Sequence, residues 1–359
     1  MDRKLLTDFK EKRDTYLKLE TLAAGKIEEL IRDRGFFVMD VTHRTKEVGS
    51  LEGKLHRKGD LYNSIYDVTD LVGCRIICYF SDDVDAISNA MSDIFDVDAL
   101  KTHDKRKQLE ATSFGYMSMH IICAIKAEDD PEQLFNGIQF EIQIRSVLQH
   151  AWAEIEHDLG YKSDYGLPRA VRRSFSRTAS LLEVADEAFV ALRQSARGYT
   201  RSVRKKIAED KAEDILLDRV SLRSFINESK SFRNYVDICR ESFGCEITGG
   251  YIDGYLPQLQ YLEVKTLGDL MQMIEGSREL SLSIIGNYIH EYGIDIISNT
   301  MIIRCICLAY MVMHQYPDDR IETFLLLGNI APDTVKRRMK QISALRDKYN
   351  KEGGLYVIS

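Results

Sequence analysis

Residues 137–162 read GIQFEIQIRSVLQHAWAEIEHDLGYK. From Gln139 onward the chain alternates: Phe140, Ile142 and Ile144 fall on one face of a strand, and Gln139, Glu141, Gln143 and Arg145 fall on the other. The apolar face packs, which leaves the polar face for chemistry. Ser146 followed three residues later by Gln149 forms a capping box and starts a helix. Leu148, Trp152, Ile155 and Leu159 are the apolar stripe this helix is expected to bury, and Gly160 is its stop. His150, Glu154 and His157 share a second stripe close in sequence to the polar end of the strand. A solvated amphipathic strand and helix would have the same spacing, so the rest of the chain must decide.

The chain has 359 residues, of which 44 % are hydrophobic, enough for the cores of one large or two ordinary domains. A formal charge of -7 and a pI near 5.7 argue against a surface broadly adapted to nucleic acid, although local basic clusters can still hold phosphates. The first residues, MDRKLLTDFKEKRD, are charged and amphipathic and lack the apolar stretch of a secretory signal. The longest apolar run, residues 301–313, is interrupted by Arg304 and is too short to span a bilayer. A cytoplasmic protein without a membrane partner is therefore expected. Seven cysteines, an odd number, show no CxxC spacing. Cys74, Cys78 and Cys123 lie in apolar strand-like runs, so free buried thiols are expected rather than a zinc site.

In chain order, residues 2–34 carry a helical pattern ended by Gly35, and a short strand is expected over residues 36–41. The segment THRTKEVGSLEGKLHRKG follows, with Arg44, Lys46, Lys54, Arg57 and Lys58 crowded together. Such a run is ordinarily a solvated face; at the end of a strand it can also hold phosphates. Residues 72–80 form an apolar run typical of a central strand, and Arg75 within it requires a cleft to face. Asp70 just precedes that strand, where an isolated aspartate can either cap a turn or project into a site. Asp82, Asp83 and Asp85 read as N-terminal charges of the next helix. Further on, SFGYMSMHIICAIK combines a loop glycine, Gly115, with the flat ring of Tyr116 and the imidazole of His120.

Taken together, EIQIR followed by HAWAEIEH and YK closely resembles the signature of the RelA/SpoT synthetase domain. The resemblance implies transfer of pyrophosphate from ATP to the 3'-hydroxyl of GDP or GTP, making (p)ppGpp. Arg44, Lys46, Ser50 and Lys54 fit the family's ATP-binding pattern, with Arg44 stacking on adenine and the lysines gripping polyphosphate. Asp70 and Arg75 match its D-x-x-x-x-R pattern, which implies that Asp70 binds Mg2+ and Arg75 lies against the ATP base. Tyr116 and His120 match its acceptor loop, the tyrosine stacking on guanine.

Glu141 is the candidate general base for the ribose hydroxyl and a second Mg2+ ligand, with Gln143, Arg145 and His150 orienting the acceptor. Two departures stand out. Glu47 is acidic where these enzymes often carry a small hydroxyl residue. RKQLEATSFGYMSMH also lacks the lysine, proline and asparagine that precede the tyrosine in many guanosine-using members. The acceptor therefore stays open: toxic relatives modify tRNA 3' ends or adenosine nucleotides, and a non-catalytic nucleotide sensor is the alternative of another class. His157 and Asp158 lie inside the synthetase motif and have no second His/Asp cluster upstream, which argues against a hydrolase half.

A helical pattern from about 170 to 197 is followed by the basic GYTRSVRKK, where the boundary is placed. The expected architecture is α+β. Residues 1–200 form a mixed sheet flanked by helices, nucleotidyltransferase-like, and residues 201–359 form a mainly α-helical domain. For the latter the sequence leaves open an oligomerisation module, an inhibitory cap or a sensor for a protein regulator.

Overall fold

A computed structural model describes residues 2–58, 61–104, 118–160, 168–328 and 330–351. The chain divides into two compact units, Met1–Gln194 and Ser195–Ser359. The first is α+β and the second mainly helical, as the sequence leads one to expect.

The first unit opens with α1 (Asp2–Glu11) and α2 (Arg13–Arg34), two helices where the sequence pattern suggests one. Gly35 closes α2 in the left-handed conformation (φ 65°), which a residue without a Cβ adopts at little cost. The strand β1 runs over Val38–Thr45, four residues beyond the expected end at residue 41, so Arg44 lies on a strand rather than in a loop. α3 (Val48–Lys58) follows because Leu51 and Leu55, one turn apart, are both buried.

β2 (Val72–Cys78), α4 (Ser81–Ile94), β3 (Phe95–Val97), β4 (His103–Asp104), β5 (Met119–Ile125) and β6 (Phe140–Ser146) complete the sheet. Its order is β1-β2-β6-β5-β3, with β4 also paired to β5. Only the β2–β6 pair is parallel among these contacts; the others are antiparallel, which makes the sheet mixed. The alternation read in residues 140–146 holds: Phe140, Ile142, Ile144 and Ser146 are buried, while Glu141, Gln143 and Arg145 are half-buried on the other face. Phe140 packs edge-on against Phe95 with ring centroids 5.1 Å apart.

α5 (Val147–Gly160) starts at the expected capping box: the Ser146 amide donates to Gln149 Oε1 (2.8 Å), and the Gln149 amide donates to Ser146 Oγ (3.1 Å). Trp152 is buried, but Ile155 is 51 % exposed and does not belong to the buried stripe. Trp152 instead packs with Phe175 and Ala179 of α6 (Arg169–Ala208), and those contacts decide which face of α5 is covered. α6 is further tied to the first unit by Ser146 Oγ donating to Asp186 Oδ2 (2.6 Å). Arg193 also pairs with Asp82 and Asp83 at the start of α4.

α6 also continues through the basic stretch GYTRSVRKK, where the sequence pattern suggests a break. Val203 and Ile207 are buried in the core of the second unit, an apolar stripe of two residues that the charged neighbours obscure. That unit comprises α7 (Arg219–Glu228), α8 (Lys230–Phe243), α9 (Leu256–Tyr261), α10 (Leu267–Gly276), α11 (Arg278–Tyr292), α12 (Asn299–Met313), α13 (Asp318–Leu327) and α14 (Pro332–Lys351). A small parallel pair, β7 (Glu246–Thr248) and β8 (Ile296–Ser298), joins them. α12 is the most enclosed element, with Ile302, Ile303, Ile306, Cys307 and Met311 buried.

All seven cysteines are free and buried, and burial pushes the thiols of Cys74 and Cys78 up to about 12, so they serve as small apolar residues. Among the described residues no helix is long and apolar enough to cross a membrane.

Phe140→Ala should lower the stability of the first unit by about 3–5 kcal/mol, through lost burial and a cavity facing Phe95. Urea unfolding followed by circular dichroism measures this, and a loss below about 1 kcal/mol would contradict the packing described.

Candidate active site

The register of three strands builds the site. Arg44 on β1 pairs with Gly73 on β2, which pairs with Glu141 on β6; one step along, Thr42, Arg75 and Gln143 align in the same way. Because side chains alternate, these residues share the face opposite the core. They line a cavity of about 260 Å³ together with His43, Lys46, Asp70 and Cys74. Gly73 sits between Arg44 and Glu141 and contributes no side chain, which opens the middle of the row. A Cβ built there would meet only the Glu141 carbonyl oxygen, at 4.0 Å, so the backbone tolerates a larger residue that would fill the cavity.

Asp70 lies in the turn before β2, and the Lys46 amide donates to the Leu71 carbonyl (2.7 Å), bringing the ends of β1 and β2 together. Lys46 Nζ stands 2.9 Å from Asp70 Oδ2, and Lys54 Nζ, reaching in from α3, stands 2.7 Å from Oδ1. Burial acts to raise the Asp70 pKa, yet the hydrogen bond from Lys54 and the charges of both lysines outweigh it and hold the carboxyl below its usual value. For Lys54, burial works to lower the pKa and the bond to Asp70 overcomes it, leaving the value raised. Ser50, one turn before Lys54 on α3, is exposed and is not part of the cavity wall.

Glu141 is held at both oxygens. His120 Nδ1 lies 2.6 Å from Oε1, and Gln143 Nε2 donates to Oε2 (2.9 Å). The network continues outward: Ser118 Oγ is 2.6 Å from His120 Nε2, and Arg145 donates to Gln143 Oε1 (2.8 Å). Since an ionised carboxylate only accepts, the Nδ1 side of His120 donates toward Glu141 when that group is ionised. His120 is thus a direct partner of Glu141, a placement its position in sequence does not reveal.

A second group lies at the other end of the same face. Arg75 Nη1 stands 3.0 Å from Glu154 Oε1, and His150 Nδ1 is 3.7 Å from the same oxygen. Burial and the charge of Arg75 push the His150 imidazole below its usual pKa. Burial, then Arg75, also lower the Arg145 guanidinium, which remains a cation at any physiological pH. Two guanidinium groups close enough to repel each other favour an anion between them.

The structure thus gathers Arg44, Lys46, Asp70, Arg75, Glu141 and Gln143 around one cavity, with Lys54 and His120 bonded to its carboxylates. Arg145 is joined to that set through Gln143, and His150 through Glu154 and Arg75. Tyr116 lies outside the described residues. Gly73, Ser118 and Thr42 were not singled out from sequence. Gly73 could have been, because a glycine inside the apolar strand VGCRIIC marks a place where something approaches the backbone.

An α+β domain with cations and two carboxylates converging on one sheet face defines the class. Residues 43–165 match the family model described as the region found in RelA / SpoT proteins. The chain is 31 % identical over 157 residues to GTP pyrophosphokinase YjbM of Bacillus subtilis, covering 43 % of this chain and 71 % of that protein. It is 28 % identical over 160 residues to GTP pyrophosphokinase YwaC of the same organism, covering 42 % and 71 %. Among solved structures it is similar to the small alarmone synthetase 1 from Bacillus subtilis, with 24 % identity, 54 % of this chain and 99 % of that chain covered, and a TM-score of 0.45. The chain belongs to the RelA/SpoT family.

A carboxyl held below its unfolded pKa stabilises the folded state above the unfolded value, and that contribution is lost as pH falls through the folded value. Asp70→Asn should therefore flatten the acid limb of the stability curve below about pH 4–5. Urea midpoints between pH 7 and 3 test this; an acid limb as steep as that of the unchanged protein would exclude the Asp70–lysine assignment.

Proposed function

We propose that this protein transfers the β,γ-pyrophosphate of ATP to the 3'-hydroxyl of a guanosine nucleotide, GDP or GTP. The observation that carries this reading is the pair of carboxylates, Asp70 and Glu141, lining one cavity with Arg44, Lys46 and Arg75. The membership of the RelA/SpoT family and the two pyrophosphokinase relatives support it.

In this mechanism Arg44 offers a planar cation for the adenine ring, while Lys46 and Lys54 neutralise polyphosphate charge. Glu141 accepts the proton of the 3'-hydroxyl, the ribose oxygen bonds to the β-phosphorus, and the bond from that phosphorus to the α,β-bridging oxygen breaks, releasing AMP. His120 and Gln143 fix the Glu141 carboxylate so that no reorientation is needed when the hydroxyl arrives. Arg75 lies against the ATP base, Arg145 and His150 orient the acceptor with Arg145 matching its phosphate charge, and Tyr116 is assigned to the acceptor base.

Mg2+ binds through one or two carboxylates completed by phosphate oxygens and water. Asp70 and Glu141, the two carboxylates lining the cavity, would hold such an ion between them, and hard carboxylate oxygens fit its chemistry. When bound it supplies charge neutralisation on the phosphates.

Incubation of the purified protein with Mg2+, ATP labelled in the γ-phosphate, and GDP, GTP, adenosine nucleotides or tRNA offered separately is expected to label GDP or GTP and release AMP. Label in tRNA or an adenosine nucleotide would reassign the acceptor, and label in none would leave a nucleotide sensor. Glu141→Gln and Asp70→Asn should each reduce turnover by at least about 10²-fold with the fold retained. Gly73→Val should keep stability within about 1 kcal/mol yet abolish turnover by filling the cavity; near-normal rates in that variant would place the chemistry elsewhere.

A further inference from the structure

The second unit holds a cavity of about 400 Å³ between α11, α12 and α14, none of whose lining residues takes part in the site above. Its volume lies within the roughly 300–1,000 Å³ common for small-molecule sites. Ile284, Leu308, Ile342 and Leu345 form an aliphatic wall, and Tyr288 and Tyr292 stand together with ring centroids 4.7 Å apart.

The charge in this cavity is unusual. Arg304 interrupts the apolar run of α12, the most enclosed helix of the unit, and its half-buried guanidinium reaches the cavity while Nε donates to the hydroxyl of Tyr255. Arg337 and Arg338 of α14 approach from the opposite wall. Among the described residues none of these three arginines forms an ion pair, and the one carboxylate lining the cavity, Glu291, is bonded to Gln341 (3.2 Å). Burial, then the charge of Arg304, lower the Arg338 pKa, with Tyr288, Cys305 and Tyr255 offsetting only part of the effect. The half-buried guanidinium groups of Arg304 and Arg338, with the exposed Arg337 beside them and flat rings in the same lining, suit an anion with a planar apolar body.

We propose that this cavity binds a nucleotide-class ligand, its phosphates on Arg304, Arg337 and Arg338 and its ring against Tyr288 and Tyr292. The site is separate from the sheet cavity and does not depend on the reaction proposed for it. The side-chain amide of Asn287 and the amide oxygen of Gln341, whose Nε2 bonds Glu291, supply hydrogen bonds to a heterocycle.

Photolabelling of the full chain with 8-azido-ATP and 8-azido-GTP, followed by peptide mapping, tests the assignment. Label is expected on peptides of α11 and α14 and should be displaced by unlabelled ATP or GTP. Arg338→Gln should raise the concentration needed for that labelling by about tenfold or more while leaving labelling of first-unit peptides unchanged. Arg337→Gln, an exposed position, should act in the same direction and keeps the test intact if Arg338→Gln does not fold. The proposal is overturned by absence of label on second-unit peptides, by labelling undiminished in both variants, or by displacement with decanoate but not with nucleotides, which would indicate an apolar carboxylate ligand. First-unit and second-unit peptides are read separately, so a failure here is distinguishable from failure of the transferase reading.

Discussion

The parallel pairing of β2 with β6 is the constraint on which the first unit depends. Gly73 opposite Glu141 and Arg75 opposite Gln143 place the chemistry of two distant segments on one face. The side-chain period of a strand is two, so a shift of one residue in either strand would turn its polar groups into the core and its apolar groups into the cavity. Burial of Ile76, Ile142 and Ile144 on the opposite face opposes that shift, and the same hydrophobic burial therefore secures both the fold and the site.

Electrostatics then divide the face into two environments. Asp70 is held between two ammonium groups, a setting that favours its ionised form. Glu141 meets an imidazole and an amide instead, which orient a carboxylate without the full charge compensation of an ion pair. The two carboxylates thus sit in different electrostatic settings, and the difference comes from neighbours rather than from residue type.

In the second unit, Arg304 stands where helix periodicity alone would place an apolar residue. A guanidinium on the most enclosed helix is costly unless it reaches a hydrogen-bond partner and a polar opening. Tyr255 supplies the first and the cavity bounded by α11 and α14 the second. The interruption of the apolar run at residue 304, which in sequence only excludes a membrane span, becomes in three dimensions the floor of a cation-lined cavity.

The amino-acid sequence alone determined the strand alternation of residues 140–146, the capping box at Ser146, the glycine that closes α2 and the α+β character of the first unit, because each follows from local periodicity or backbone preference. It also carried the family motif, and with it the candidate residues Asp70, Arg75 and Glu141. What only the tertiary structure decided was pairing: His120 beside Glu141, Lys54 beside Asp70, Glu154 beside Arg75. The exposure of Ile155 and the continuation of α6 past residue 197 were likewise settled by partners far along the chain. A side chain's period fixes which face it takes, but what lies across from that face depends on strand register and helix packing, which no local stretch specifies.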